Sequence, residues 1–273
     1  MPGIARLTER LDVFATRHRW VQVARAAQRR FSEKRGSNLA AAISMRAFMA
    51  LFPVVVLTIA VVGFVGGDPQ DVAARIAGEL GLSGDTEAVL TDAVETAQRT
   101  KMASSIVGVL GLLWTGTGLA ASLASAWNAV WDIPGGTMRG RLAGFLWLLG
   151  GLAFLAVGLL LLAVIAGSDW LTPLGVLGSL AAGTVAFVWT AWLLPTRRIP
   201  LRAMLPAAVV GGIGLEILKE LGAFVIPQVV ERSSALYGTI GAVFALLVWM
   251  LVLGWLTIAV MLVERQSWVE RIP

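Results

Sequence analysis

Hydrophobic residues in this chain are grouped in six long runs that are separated by short polar segments. Each run is long enough, at the rise of roughly 1.5 Å per residue of an α-helix, to cross the roughly 30 Å hydrocarbon layer of a bilayer. The pattern predicts an all-α fold: a polytopic membrane helix bundle with six transmembrane helices, forming one membrane domain over residues 37–264. The runs are Asn38–Gly66, Ala103–Trp127, Leu142–Ala166, Leu171–Leu194, Ala203–Ile226 and Ala235–Val263.

Polar segments at both ends and after the first run complete the domain organisation. Residues 1–36 have apolar residues such as Leu7 and Leu11 at helical spacing among arginines, which predicts a basic amphipathic helix on the cytoplasmic face of the membrane. A positively charged anchor with no further role explains this segment equally well. The external segment 67–102 shows two short helical patterns, and we expect them to cap the outer face of the bundle. Residues 265–273 form a predicted cytoplasmic tail.

The distribution of lysine and arginine predicts the orientation of the bundle. Sixteen of them lie before Asn38, in the links 132–141 and 195–202, or after Val263, whereas four lie in the links on the other side. Short loops rich in lysine and arginine stay in the cytoplasm, so both termini are predicted to be cytoplasmic.

Composition agrees with a membrane protein and excludes several kinds of site. Hydrophobic residues make up 57% of the chain, charged residues make up 14%, and the mean hydropathy is +0.79. The absence of cysteine excludes disulfides and thiolate metal sites. The net charge of +5 comes mainly from the basic flanks, which topology and anionic inner-leaflet lipids already explain, so we expect membrane lipids as partners and no nucleic acid.

Charged residues within the predicted spans are the most informative chemical feature. Glu216 precedes Lys219 and Glu220 by one helical turn, so the three form one stripe on a helix. An isolated charge in hydrocarbon costs roughly 2.5 kcal/mol or more, so we expect this stripe to face a protein interior or a polar cavity. Arg46, in the first span, either extends to the interface or joins this cavity, where it could bind an anionic headgroup or neutralise Glu216 or Glu220.

Proline and glycine residues in the spans are candidate hinges or packing positions. Proline removes a helical hydrogen bond, and glycine lets two helices approach closely. The glycines are also compatible with a homo-oligomer, although packing within one chain would use them equally well. The candidates, with one neighbouring tyrosine, are Pro53, Gly211, Gly212, Gly214, Tyr237, Gly238 and Gly241.

A catalytic constellation is not recognisable in the sequence. The single histidine, His18, lies among arginines, and no HExxH, Walker or GxSxG motif is present. Glu216 and Glu220 could bind a metal or relay a proton, but Lys219 between them already supplies a counter-ion. We therefore expect no catalytic residue, no metal site and no cofactor.

Short motifs in both halves of the chain resemble those of a known family. They are Ala41–Pro53, Ala126–Trp131, Leu194–Arg198, Glu216 with Lys219, Tyr237–Gly238 and Leu247–Trp249. In this order they resemble the YihY/BrkB family, and most closely its YhjD-like branch, over roughly residues 36–264. The resemblance implies a six-span protein of the bacterial inner membrane, associated with envelope integrity or virulence, with lipid transport suspected for this branch. Two positions depart from the family: Arg46 replaces an expected tyrosine pair, and Met261 stands near an expected glutamate, one turn before Glu264.

Three functions follow as hypotheses. The first is a transporter or flippase of a lipid or another amphipathic anion, in which Arg46 and Lys219 bind the anion while Glu216 and Glu220 gate the path. The second is a structural scaffold for the envelope, in which the charged stripe only locks the bundle as an ion pair. The third is a ribonuclease, the activity once given to the family, for which the sequence offers no nucleophile or metal ligand.

Overall fold

The computed structural model describes residues 19–65, 71, 92, 101–135, 138–165, 172–237 and 239–269. Residues 1–18, nearly all of the predicted external segment and Gly238 lie outside this part of the chain. Within it, the all-α prediction is confirmed. The helices are α1 (Arg19–Glu33), α2 (Gly36–Val65), α3 (Lys101–Trp131), α4 (Met138–Ile165), α5 (Thr172–Leu193), α6 (Leu201–Tyr237) and α7 (Thr239–Val269).

Three segments of the described chain are long and apolar enough to cross a membrane, by length and composition. They are Gly36–Leu57 in α2, Ser105–Trp131 in α3 and Val243–Val269 in α7. Shorter apolar segments occur in α4, at Gly140–Phe154, and in α5, at Leu177–Leu193. The chain is a helical membrane protein with three clear span candidates, and the total of six spans remains a prediction.

Helices α2 to α7 are arranged as a ring in which each helix contacts its two neighbours. The order around the ring is α2, α3, α4, α5, α6 and α7, and α7 closes it by packing against α2. Helix α7 also contacts α3, and α1 packs across one end of the bundle against α7 and α2. We call this end, which also holds the segments 132–135 and 194–200, the α1 end.

The hydrophobic core is concentrated toward the α1 end. Trp127 and Val130 of α3 pack there with Met204 of α6 and with Ile258 and Met261 of α7, all nearly inaccessible to solvent. The outer surface of the ring carries many exposed large apolar side chains, as expected where a protein faces lipid rather than water.

Prolines lie inside two of the helices without ending them. Helix α2 continues through Pro53, and α6 continues through Pro206 and Pro227 to Tyr237. The segment 227–234, which lies between the fifth and sixth hydrophobic runs, is therefore helical. One proline removes only one hydrogen bond of the ladder, and a helix of this length keeps enough of the others to continue into a polar segment.

In the turn between α1 and α2, Arg35 rather than a glycine adopts the left-handed conformation. Arg35 has a φ of 51°, a left-handed conformation, and its N–H bonds to the Ser32 carbonyl at 3.2 Å. Gly36 begins α2 beneath the ring of Phe31, where a Cβ atom would come within 2.4 Å of that ring. Glycine at this position therefore lets α1 fold back closely onto the start of α2.

Candidate functional site

The charged stripe of α6 is joined to α5 by a serine that the sequence did not single out. Ser179 of α5 donates a hydrogen bond of 2.7 Å to Glu216 Oε2, while Lys219 Nζ lies 2.5 Å from Glu216 Oε1. Lys219 Nζ also lies 3.3 Å from Ser179 Oγ and 3.9 Å from Glu220 Oε1. The structure thus forms a Ser179–Glu216–Lys219 network, with Glu220 at its edge.

This network lies on the outer surface of the ring. The exposed fraction of the side chain is 18% for Glu216, 54% for Lys219 and 71% for Glu220. None of the three lines either of the two large cavities near the α1 end. Within a single chain, Glu216 is therefore mostly covered and faces α5, whereas Lys219 and Glu220 face outward.

Arg46 lines a different feature, an open groove of about 1040 Å³ along α3. The groove lies between α2 and α4 and reaches the links at the α1 end. Its lining combines two arginines and four uncharged polar residues with small and apolar side chains. These polar residues are Arg46, Thr117, Ser125, Asn128, Arg141 and Thr196.

The guanidinium group of Arg46 lies close to the backbone of α3 at Gly118. A Cβ atom at Gly118 would come within 2.4 Å of Arg46 Nη1, so a side chain there would displace the arginine. Among the described residues, no ion pair joins Arg46 to Glu216 or Glu220. The structure therefore places Arg46 with Arg141 and separates it from the α6 stripe.

A second groove of about 520 Å³ lies on the other side of the start of α4. It shares Gly140, Leu194 and Thr196 with the first groove, and it adds Arg198. The two grooves flank the same end of α4, so three arginines, Arg46, Arg141 and Arg198, line neighbouring surfaces.

Two of the sequence motifs contact each other beside these grooves. Asn128 Nδ2 donates to Thr196 Oγ1 at 3.0 Å, and the Thr196 N–H donates to Asn128 Oδ1 at 3.1 Å. This paired contact fixes the link after α5 against the end of α3. The side chain of Asn128 thus joins the last turns of α3 to a link that lies 68 residues later in the chain.

Glu264 is the buried carboxylate of the α1 end. It is 2% exposed, and its Oε2 accepts a hydrogen bond of 2.8 Å from Trp127 Nε1. The sequence singled out Glu264 only as a neighbour of Met261, and Met261 is fully buried in the apolar core one turn earlier. The carboxylate near the end of α7 therefore has a defined partner in α3.

Asp132 pairs with three basic residues from two other parts of the bundle. Arg30 of α1 and Lys34 in the turn after α1 form ion pairs with its carboxylate, and Arg265 Nη2 of α7 lies 3.0 Å away. The hydrogen bond from Lys34, opposed by burial and assisted by Arg30, holds the pKa of Asp132 below its ordinary value of 3.8.

The backbone at Asp132 is the C-terminal cap of α3. Asp132 has a φ of 54°, and the N–H of Ile133 bonds to the Asn128 carbonyl at 2.8 Å, as in a Schellman motif. The side chain of this cap residue is directed toward the basic residues of α1 and α7.

The candidate hinge glycines of α6 lie at helix contacts. A Cβ atom at Gly211 would meet Phe187, one at Gly212 would meet Thr184 and the Leu180 carbonyl, and one at Gly214 would meet Leu256. These contacts indicate close packing of α6 on α5 and α7.

The other hinge candidates have different surroundings. Pro53 faces Gly111 of α3, where a Cβ atom would come within 3.2 Å of it. Gly241 is buried in α7, Tyr237 ends α6, and Gly238 lies outside the described residues. Pro53 and Gly241 lie inside continuous helices, and a hinge role for all four positions remains a prediction.

Metal binding finds no support in the part of the chain that the structure describes. No group of three or more histidine, aspartate or glutamate side chains is arranged there to hold a metal ion. The expectation that the protein needs no metal or cofactor remains a prediction.

Comparison with known proteins finds relatives that match about three quarters of this chain. The chain is 26% identical over 240 residues to an uncharacterized protein of Dickeya dadantii (strain 3937), covering 77% of this chain and 73% of that protein. It is also 26% identical over 245 residues to the inner membrane protein YhjD of Escherichia coli (strain K12), covering 78% and 72% of the two chains. No solved structure matches this chain significantly. Residues 27–263 match the family described as Virulence factor BrkB, so the chain belongs to this membrane protein family.

Proposed function

We propose that the protein binds an amphipathic anion, such as a lipid with a phosphate or carboxylate headgroup, in the Arg46 groove and moves it across the bacterial inner membrane. The observation that carries this proposal is the composition of the groove of about 1040 Å³, in which two guanidinium groups and four uncharged polar side chains lie among small and apolar residues. Guanidinium groups bind phosphate and carboxylate through several N–H donors in a fixed plane. The apolar part of the groove suits an acyl chain.

The proposed membrane topology has six spans and cytoplasmic termini. Six long helices, α2 to α7, coincide with the six hydrophobic runs, and the name of the YhjD relative assigns that protein to the inner membrane. With this topology, the α1 end is cytoplasmic and the groove opens toward the inner leaflet. Arg46 then lies about 15 Å along α2 from its first residue, below the level of the headgroups.

The groove has a polar and an apolar part that match the two parts of a lipid. Asn128, Arg141 and Thr196 line it near the α1 end, and Leu113 and Trp114 line it near Arg46. A headgroup can contact Arg141 first and Arg46 next, while its chain remains against the apolar wall. The second arginine offers a charge partner to an anion that has left the headgroup layer, which lowers the penalty of moving it inward.

The α6 stripe has no place in this path. Glu216 is already bonded to Lys219 of α6 and to Ser179 of α5. These are the contacts expected of an ion pair that holds α5 against α6. This contact favours the structural interpretation of the stripe, and with it a scaffold function as the second candidate. A scaffold requires a rigid bundle but no anion in the groove.

Native mass spectrometry of the purified protein tests the proposal. We expect the unsubstituted chain to retain anionic lipid and Arg46→Gln to retain at least about tenfold less, because a charged hydrogen-bond donor at low dielectric contributes more than 1.4 kcal/mol. The matched control is Arg202→Gln, since Arg202 is exposed and lines neither groove. Equal retention by both variants would leave the scaffold as the better account.

A further inference from the structure

The outer face of α6 carries a line of residues with the spacing of a helix–helix seam. Successive members are separated by four and three residues, the repeat of the core positions of a coiled coil. The α6 seam consists of Val209, Ile213, Glu216, Glu220, Ala223 and Pro227. The described helices leave most of it uncovered, since Val209 is 42% exposed, Ile213 is 44% exposed and the Glu220 side chain is 71% exposed. Glu216 is the exception, with a side chain that is 18% exposed and bonded to Ser179 of α5.

Glu220 is the anomaly in this seam. It lies about 25 Å along α6 from Ala203, which is within a hydrocarbon layer of roughly 30 Å if α6 crosses the membrane as proposed. Its nearest described cation, Lys219 Nζ, is 3.9 Å away, beyond hydrogen-bond distance. A carboxylate this exposed among Ile213, Ile217 and Phe224 would face lipid tails in a single chain, so another protein surface must supply its partner.

A second copy of the same chain supplies that partner. Two copies in one membrane share their orientation, so a two-fold axis along the membrane normal places equal depths of α6 opposite each other. In the packing of a parallel helix pair, the side chain at position 220 enters a hole that residue 219 of the other helix helps to form. Each Glu220 then meets the ammonium of the Lys219 in the other copy.

Lys219 has a donor for this contact. An ammonium group has three N–H donors, and within one chain Lys219 uses its short contacts for Glu216 and Ser179. The third donor has no acceptor within 3.5 Å among the described residues, and Glu220 Oε1 lies 3.9 Å from Lys219 Nζ. When each copy donates this N–H to Glu220 of the other copy, the hydrogen bonding of both stripes is complete. The same contact brings the two α6 seams together.

We infer that the protein forms a parallel homodimer through the α6 seam, in which Glu220 of each copy pairs with Lys219 of the other. The inference rests on the proposed membrane span of α6, and it does not depend on the Arg46 groove. Polar side chains hold transmembrane helices together in this way because lipid offers them no other partner.

Cysteine cross-linking in membranes tests the dimer directly, because the chain has no cysteine of its own. The full-length Ala223→Cys variant places a thiol in the seam, and we expect an oxidant to convert it largely to disulfide-linked dimer. The matched control is Leu221→Cys, since Leu221 is exposed at almost the same depth but points about 120° away from the seam at the helical twist of roughly 100° per residue. Only the seam position should cross-link.

The charge exchange is tested in the Ala223→Cys background. Adding Glu220→Lys should lower the yield of dimer at least about fivefold, because it opposes like charges in a medium of low dielectric constant. Adding Glu220→Gln should retain the dimer, since the amide oxygen still accepts a hydrogen bond from Lys219. Gel filtration of each variant checks that the chain is folded.

Three outcomes overturn the inference. They are the absence of dimer at position 223 in folded protein, equal cross-linking at positions 221 and 223, and a yield that Glu220→Lys does not change. An adduct of position 223 with a different membrane protein would also overturn it. In each case the anion-retention test with Arg46→Gln is unaffected, so the two proposals can fail separately.

Discussion

Trp127 and Glu264 are the clearest example of a single contact that stabilises the bundle. The indole N–H donates to a carboxylate that is 2% exposed, and Trp127 itself is 1% exposed. We expect Trp127→Phe to keep most of the packing but to remove the donor, which destabilises the protein by about 1–3 kcal/mol because a buried carboxylate loses a hydrogen bond. Thermal unfolding in detergent measures this loss.

The control for this prediction is a highly exposed tryptophan of the same helix, which lines the open Arg46 groove. Trp114 is 80% exposed, so Trp114→Phe should leave the melting temperature nearly unchanged. Equal shifts for the two variants would contradict the role assigned to the buried hydrogen bond.

Residue patterns in the sequence located the intramembrane charges but not the residues that contact them. The intramembrane charges at Arg46, Glu216 and Lys219 are visible because they interrupt apolar runs. Ser179 was not visible as their partner, since it lies on another helix and a serine among small residues carries no local signal. The separation of Arg46 from the stripe depends on the order of helices around the ring, which a single sequence does not specify.

At the scale of elements, the approach of α6 to α5 depends on Gly212. A Cβ atom there would lie 3.0 Å from both the Leu180 carbonyl and the Thr184 nitrogen, so the two helix backbones are nearly in contact. We expect Gly212→Ala to destabilise the bundle by about 1–3 kcal/mol through overpacking. The control is Gly178→Ala in α5, where a Cβ atom meets nothing within 4 Å.

Chemical denaturation of the two glycine variants in detergent measures the difference. Gly178→Ala should be neutral or slightly stabilising, since alanine is the better helix former. If Gly212→Ala were equally harmless, α5 and α6 would have to move freely relative to each other, as a hinge at this glycine would require.

Helix α1 is held at the end of the bundle by Asp132. Because the pKa of Asp132 is lowered in the folded protein, its contribution to docking is complete above the ordinary value of 3.8 and is lost as the pH falls through the lower folded value. We expect protection of α1 from proteolysis to be constant from neutral pH to about pH 5 and to weaken below about pH 4. The effect is modest, since the carboxylate is 47% exposed.

An amide at the same position separates this effect from general acid unfolding. Asp132→Asn should expose α1 to protease at neutral pH and remove the additional weakening in acid. Unchanged protection in this variant would mean that apolar contacts of α1, such as that of Phe31, are sufficient.

Element boundaries show where sequence reasoning was sufficient and where it was not. The long helices were predictable because an apolar run of membrane length is a local property of the sequence. The extension of α6 through Pro227 was not, since a proline is compatible with both a helix end and a helix interior.

At the scale of the whole molecule, the six-span arrangement makes a prediction about sidedness. Asp92 lies in the predicted external segment and Arg197 in a predicted cytoplasmic link. A thiol reagent that cannot cross membranes should label Asp92→Cys in intact spheroplasts, and should label Arg197→Cys only after the membrane is opened. Labelling of both positions from one side would exclude an odd number of spans between them and with it this topology.

The central claim is that the groove beside α3 moves an amphipathic anion, and lipid movement in proteoliposomes tests it most directly. We expect the unsubstituted protein and Arg202→Gln to accelerate transfer of a fluorescent anionic phospholipid between leaflets, and Arg46→Gln to reduce this rate at least about tenfold, as loss of a low-dielectric charge partner requires. A rate with unsubstituted protein equal to that of protein-free liposomes, or a rate that Arg46→Gln leaves unchanged, would contradict the account.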